Sequence, residues 1–164
     1  ASSAHWDLTV AGFSAYYAPA YDRLLRRGPR QWGCYFLRLI SFGPTTVNQL
    51  ERVVDGLSTW GRGHRAAFLF HLSASTLDRP RPLGAPCLQY VQLMVDDDGR
   101  LCLTAVYRSH DYFHKALGNL LGLSRLLEYV ALKTRHEVGT MTCLSTYAFV
   151  DVAKRHSNAL LNAA

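Results

Sequence analysis

The chain has 164 residues, of which 49% are apolar and 18% charged, with a formal net charge of +6. This balance predicts one globular domain over residues 1–164 and excludes a disordered or low-complexity chain. No apolar run reaches the roughly 18 residues that a membrane span needs, and no secretory signal pattern opens the chain. The basic charge favours an anionic partner, but the chain lacks the motifs and aromatic stripe of a nucleic-acid-binding protein.

The cysteines indicate a reducing compartment and argue against a metal site. None of Cys34, Cys87, Cys102 and Cys143 stands in CxxC spacing, so we expect no zinc and no other metal. A chain with a core of this size needs no disulfides, so we expect a cytoplasmic protein. Three of the thiols lie in apolar runs typical of a core, whereas Cys87 follows Ala-Pro just before a strand-like run.

The first third of the chain carries two helical patterns around an apolar run. Ala15–Arg27 could be helical, and it is followed by a Gly-Pro break. The mostly apolar run Trp32–Phe42 predicts a strand or a bulged strand. Thr45 or Thr46 can cap a helix that continues through Leu57.

The middle of the chain predicts a strand followed by a hairpin. Ala66–Leu72 is short and nearly all apolar, which is typical of a buried strand. Leu88–Val95 predicts a strand, the turn Asp96–Arg100 contains Asp-Gly, and Leu101–Tyr107 predicts the returning strand.

The last third contains the longest helix pattern. His114–Lys133 is apolar nearly all round, which predicts a central and buried helix. Gly139–Val150 predicts another strand, and Asp151 can cap a final helix through Leu161. This order of elements indicates an α+β sheet sandwich.

Chemically distinctive side chains gather around the hairpin: Cys87, Arg108, Ser109, Asp111 and Asn119. Antiparallel pairing should bring the loop at the thiol beside the arginine. A thiolate, which a neighbouring Arg favours, is a strong nucleophile, and the Arg-Ser pair can hold a phosphate. The Asn carboxamide offers one acceptor and two donors to a ligand.

Each of these residues also has a purely structural interpretation. Cys87 could be a buried loop thiol, and Arg108 could form a surface ion pair with Asp111. Ser109 could cap a turn, and Asn119 could be a hydrogen-bonded polar core residue.

The order and spacing of these motifs resemble thymidylate synthase over roughly residues 46–150. The family has Pro-Cys-His with a following Gln, then Arg-Ser-x-Asp, then an Asn at the head of its central helix. The matching residues here are Pro86-Cys87, Gln92, Arg108-Ser109-His110-Asp111 and Asn119, with Leu88 in place of the family's His. Upstream, Gln49–Leu57 and His64-Arg65 resemble the helix and Arg pair that precede the family's next strand.

The resemblance implies a thymidylate synthase-like sheet sandwich with a buried central helix. It implies a pyrimidine nucleotide substrate, 5,10-methylenetetrahydrofolate as cofactor and Cys87 as nucleophile. Asp111 would meet the pterin, and Gln92 would join the substrate-binding residues. The family is a two-fold dimer, so Arg65 would reach the phosphate in the partner's site.

Two departures from the family pattern point to an altered substrate. The chain has no counterpart of the family's N-terminal Glu, which serves the proton steps. Where the family has Gly-Asp-x-His-x-Tyr for the sugar hydroxyl, Tyr147 replaces the His as the substrate-binding residue and Phe149 replaces the Tyr. We therefore expect methylation or hydroxymethylation of a changed nucleotide, such as a ribonucleotide. A non-catalytic relative that binds a nucleotide or another anion is the main alternative, and a basic adaptor for acidic protein or RNA is a third.

Overall fold

The computed structural model describes residues 35–60, 68–78 and 85–151 of the chain. Three helices lie in these ranges: α1 (Tyr35–Ile40), α2 (Gln49–Trp60) and α3 (Ala116–Thr134). The strands are β1 (Phe68–His71), β2 (Leu88–Val95), β3 (Arg100–Tyr107), β4 (His110–Asp111), β5 (Glu137–Ser145) and β6 (Ala148–Phe149). The α+β class is therefore confirmed. The patterns at Ala15–Arg27 and after Asp151 lie outside the described residues.

The main sheet has four strands in the order β1-β2-β3-β5. The strands β1, β2 and β3 pair antiparallel, while β5 pairs parallel to β3 after the crossover through α3. The predicted hairpin is confirmed, with Leu88 opposite Tyr107 and Gly99 at positive φ in the turn. A second, two-stranded parallel sheet pairs β4 with β6, so the run predicted as one strand over Gly139–Val150 divides into β5 and β6.

The core fills the space between one face of the sheet and the helices. It is built from apolar residues that alternate along the strands and recur at helical spacing: Val91, Leu93, Leu101, Leu103, Ala105, Val53, Leu57, Leu123, Leu127 and Val130. On the other sheet face, Met94 and Leu144 are exposed. Gly139 of β5 is required by packing, because a Cβ there would lie 2.6 Å from Sγ of Cys102.

The run predicted as a strand over Trp32–Phe42 is instead a short helix in its described part. Periodicity alone does not separate a short apolar strand from a buried helix. Here the deciding contacts are polar. Nη1 of Arg38 donates to the Leu72 carbonyl at 2.8 Å and pairs with Oδ2 of Asp78 at 2.6 Å. Gln49 donates to the Arg38 carbonyl at 2.9 Å, so α1 is tied to α2 and to the end of β1.

The helix α2 begins at a different cap from the predicted one. The Asn48 side chain accepts a hydrogen bond from the Glu51 amide at 3.1 Å and donates to the Glu51 carboxylate at 3.2 Å. The first of these bonds makes Asn48 the N-cap of α2, and the second ties its side-chain amide to the first turn. The candidate Thr46 instead sits at positive φ in a turn closed by backbone hydrogen bonds between Phe42 and Val47.

The helix α3 is buried along one face only among the described residues. Leu123, Leu127 and Val130 face the sheet, whereas Tyr129 and Leu132 are exposed, the latter to 77%. The expectation of a helix buried all round is therefore not met within these ranges. None of the described helices has the length and apolarity needed to cross a membrane.

Candidate functional site

The hairpin joins Cys87 to Arg108, as the sequence predicted. The Arg108 amide donates to the Cys87 carbonyl at 2.9 Å, directly beyond the last pair of the β2–β3 ladder. The Arg108 side chain returns to the same loop, where Nε donates to the Pro86 carbonyl at 3.0 Å and Nη2 to the Ala85 carbonyl at 3.3 Å. The guanidinium therefore holds the loop that carries the thiol.

The thiol itself is free and half-buried against the core. Two tyrosines lie near it, and neither was proposed from the sequence. Burial raises the pKa of the Tyr35 hydroxyl, which accepts a hydrogen bond from the Leu88 amide at 3.3 Å. Burial also raises the pKa of Tyr107, and the charges of Tyr35 and Cys87 add to that shift. Both phenols therefore keep their protons at neutral pH.

A stack of rings leads from this loop to Asn119. Tyr107 and His110 stack with ring centroids 4.2 Å apart, and Nδ2 of Asn119 lies 3.1 Å from Nε2 of His110. On the other side of the ring, Nδ1 of His110 lies 2.9 Å from Oγ of Ser145. Burial lowers the pKa of His110, and the nearby charge of Asp111 offsets part of this shift. The imidazole is therefore neutral at pH 7.

His110 is the residue that the sequence analysis missed. It was matched only as part of the Arg-Ser-x-Asp motif, yet it is 2% exposed and connects Asn119 to the end of β5. The available signal was its position as the variable residue inside Arg-Ser-x-Asp, where a buried polar ring must find partners.

Asp111 is closed off by its own turn. Its Oδ1 accepts hydrogen bonds from the amides of Phe113 and His114, each at 3.1 Å, and Oδ2 lies 3.0 Å from Nδ1 of His114. Although burial raises the pKa of the carboxyl, these contacts bring the pKa below its usual value. The carboxylate pairs with His114 and stabilises the turn that precedes α3. It does not form the ion pair with Arg108 that was considered from the sequence.

Of the remaining predicted site residues, two lie next to the cluster and one lies outside the described residues. Tyr147 lies next to the site, because its carbonyl accepts the His110 amide at 2.8 Å, and its ring is 63% exposed and stacks with Phe149. Ser109 lies half-buried between Arg108 and His110. Arg65 lies outside the described residues.

Gln92 is not brought to this cluster within one chain. It sits in the middle of β2 opposite Thr104, about 16 Å along the strand from Cys87 at roughly 3.3 Å per residue. Its neighbours Val91 and Leu93 face the core, so its side chain is on the opposite face of the sheet.

A separate open cavity of about 520 Å³ lies between α2 and β1. Its described lining is mainly apolar, with Gln49, Arg52, His71 and Ser73 as polar members. None of the site residues predicted from the sequence lines it. We therefore place the candidate site at the ends of β3 and β5 rather than in this cavity.

The fold and the cluster define an α+β protein with a thiol, a guanidinium and a carboxamide assembled at the ends of two parallel strands. Comparison with known proteins narrows this class. A protein named "Putative thymidylate synthase" from Methanosarcina barkeri is 44% identical over 108 residues, which cover 63% of this chain and 46% of that protein. Proteins of the same name from Methanococcoides burtonii and Methanocaldococcus jannaschii are 35% and 29% identical over similar lengths.

No protein-family model matches the chain. The chain spans about half the length of the archaeal proteins that it matches. Over that stretch the chain is similar in sequence to these archaeal proteins, in agreement with the resemblance of its motifs.

Proposed function

We propose that the protein transfers a one-carbon unit, as methyl or hydroxymethyl, to C5 of a pyrimidine nucleotide through a covalent adduct with Cys87. The observation that carries this proposal is the contact path from the thiol loop through Arg108, Tyr107 and His110 to Asn119. The similarity to proteins named as thymidylate synthases supports it. Free thiols at all three described cysteines suit a cytoplasmic location.

The chemistry begins at Cys87. Its thiolate would add to C6 of the pyrimidine, and the electron pair of the C5–C6 double bond would move toward C5 and O4. The Asn119 amide N–H would stabilise the charge developing on O4. C5 is then a carbon nucleophile. After it bonds to an electrophile, loss of the C5 proton and expulsion of the thiolate restore the double bond and the free enzyme.

Arg108 supports the proposed phosphate contact. A guanidinium has five N–H donors, and two of them hold the loop carbonyls, which leaves donors for an anion. The side chain is exposed, so a phosphate can reach it. Ser109 would add a hydroxyl, and Arg65 of a second copy would complete the site. The exposed ring of Tyr147 would replace the sugar-hydroxyl contact of the family, which favours a changed sugar.

The described residues fit the nucleotide better than the cofactor. The resemblance assigns Asp111 to the pterin of 5,10-methylenetetrahydrofolate, but this carboxylate is buried and its oxygens are engaged by Phe113 and His114. In this conformation it does not offer the pterin a free acceptor. The folate donor therefore rests on the resemblance, and the steps derived above need only the nucleotide and the chain's own residues.

We propose a homodimer that uses the sheet face opposite α3. Met94 on β2 and Leu144 on β5 are exposed on this face, and Gln92 points to the same face two residues before Met94. Pairing of two such faces would remove apolar surface from water and would place Gln92 at the boundary between the copies. Sedimentation equilibrium should show a dimer that Leu144→Glu dissociates, whereas a wild-type monomer would contradict this proposal.

A non-catalytic nucleotide-binding protein is the second candidate. The closed state of Asp111 favours it, because no other described carboxylate was assigned to the cofactor or to proton transfer. The two candidates differ in one measurable property, namely exchange of the C5 hydrogen.

The deciding experiment measures tritium release from C5-labelled dUMP, UMP, dCMP and CMP, with and without methylenetetrahydrofolate. Catalysis predicts release from at least one nucleotide and its loss in Cys87→Ser. Cys102→Ser is the matched control, since that thiol is also half-buried but hydrogen-bonds the Thr140 amide on the far side of β3. Unchanged release in Cys87→Ser would overturn the mechanism, and binding without release would support the second candidate.

A further inference from the structure

His110 holds the side chain of Asn119 in one orientation. An amide nitrogen can donate but cannot accept a hydrogen bond, so Nε2 of His110 must accept from Nδ2 of Asn119 across 3.1 Å. A neutral imidazole with an accepting Nε2 carries its proton on Nδ1. That proton points to Oγ of Ser145, 2.9 Å away, and Tyr112 completes the chain with its hydroxyl 3.2 Å from the same oxygen.

The backbone fixes the imidazole as firmly as the side chains do. The His110 amide donates to the Tyr147 carbonyl at 2.8 Å within the β4–β6 pair, and the ring lies flat on Tyr107 with an interplanar angle of 10°. The ring is 2% exposed, so water does not compete for its two nitrogens. Nδ2 of Asn119 can only donate, so this contact requires an accepting Nε2, and the Ser145 hydroxyl can accept the proton of Nδ1.

This orientation leaves a defined pattern on Asn119. Within the described ranges no other hydrogen bond reaches its side chain, so Oδ1 and the second N–H remain for a ligand. Uracil presents a donor at N3 beside an acceptor at O4, and cytosine presents the reverse, an acceptor at N3 beside a donor at N4. A freely rotating carboxamide could match either base, whereas a fixed one matches only one.

We propose that His110 is a positioning residue that selects uracil over cytosine by fixing the carboxamide of Asn119. The proposal rests on the nucleotide function proposed above and adds to it the residue that sets base preference. Loss of the contact to Asn119 should equalise the two bases rather than weaken both equally.

Two substitutions separate this role from packing. His110→Gln can place an amide near the position of Nε2 and so retain a partner for Asn119. His110→Asn keeps a polar group only near Nδ1. Both variants lose the stacked ring on Tyr107, so a purely structural role would affect them alike.

The experiment is calorimetric titration of UMP, dUMP, CMP and dCMP into the full chain, with melting temperatures measured for every variant. We expect the wild type to prefer uracil by about tenfold or more, the ratio that about 1.4 kcal/mol of hydrogen-bond mismatch gives. His110→Gln should keep part of this preference, because its amide oxygen can still accept from Asn119 although its amide can also turn. In His110→Asn the two bases should bind within about twofold of each other. Ser145→Ala should also reduce the preference, because it leaves the proton of Nδ1 without its acceptor.

The outcomes distinguish the role of His110 from the proposed nucleotide function on which it rests. An undiminished uracil preference in His110→Asn, or in Ser145→Ala if the His110 variants do not fold, would overturn the role of His110 and leave the proposed function standing. A wild-type preference for cytosine would overturn the selection of uracil. Failure of all four nucleotides to bind the wild type would overturn both proposals.

Discussion

Two arginines of this protein each donate hydrogen bonds to backbone carbonyls next to a strand, but one side chain is buried and the other is exposed. Arg38 is buried, donates to the Leu72 carbonyl and forms two 2.6 Å contacts with the carboxylate of Asp78. Arg108 is exposed and donates to two carbonyls, and among the described residues it meets no carboxylate. The first guanidinium is paired with a carboxylate inside the fold, whereas the second has no carboxylate against it among the described residues. The difference shows that a carboxylate partner, rather than the number of hydrogen bonds, separates the structural arginine from the candidate binding residue.

The largest expected effect tests the neutralised arginine. Asp78→Ala leaves the buried guanidinium of Arg38 without its carboxylate, which typically costs about 3–5 kcal/mol of the free energy of unfolding. Urea denaturation of the variant and the wild type measures this loss. Asp98→Ala is the control, since it removes an exposed carboxylate paired with Arg100 and should cost less than about 1 kcal/mol. Equal effects of the two substitutions would contradict the contrast between buried and exposed pairs.

The next effect tests the charged arginine. Arg108→Ala should lower the affinity for the bound nucleotide by about 10–100-fold, because a charge-assisted hydrogen bond contributes about 1.5–3 kcal/mol. Its free energy of unfolding should change by only about 1 kcal/mol, since one of the two lost contacts is exposed and the other is only part-buried. Arg125→Ala is the matched control, because it removes an equal charge from the exposed Arg125–Glu128 pair on α3. If titration calorimetry shows the same loss of nucleotide affinity in both variants, Arg108 acts only through the net charge of the protein and not as a binding residue.

A smaller effect concerns Asp111 in the same region. The Asp111→Ala substitution removes the acceptor of two backbone amides in the turn before α3 and should cost about 1 kcal/mol at pH 7. The folded pKa of this carboxyl is lowered, so its stabilisation is present above the unfolded pKa of about 3.9 and is lost as pH falls through the folded value. Unfolding curves from pH 7 to pH 2 should therefore converge for the variant and the wild type. A gap that persists to pH 2 would show that the carboxylate charge contributes nothing.

Sequence patterns predicted those elements whose structure depends on residues close together in the chain, above all the β2–β3 hairpin. The alternation over Leu88–Val95 and the Asp-Gly turn predicted the hairpin, and the hairpin in turn placed Cys87 beside Arg108. The helical nature of Tyr35–Ile40 was not predictable in this way, because it depends on Asp78, which lies 40 residues from Arg38 along the chain.

The candidate site shows the same division. Its residue types and order follow from the sequence, but their contacts do not. Gln92 lies on the far sheet face because side chains alternate between the two faces along a strand, and the closure of Asp111 depends on backbone amides that have no sequence signature. The link from His110 to Ser145 spans 35 residues and exists only because β5 lies beside β3.

The parallel pairing of β3 with β5 also has a kinetic consequence. Arg108 and His110 are synthesised before Ser145. The crossover helix α3 lies between them in the chain, so it has to be placed for the ends of β3 and β5 to meet. Contacts of such sequence separation form late, because the loop between them must first be ordered. Nucleotide binding would therefore report completion of the native state, and a ligand present during refolding would stabilise only chains that have reached it.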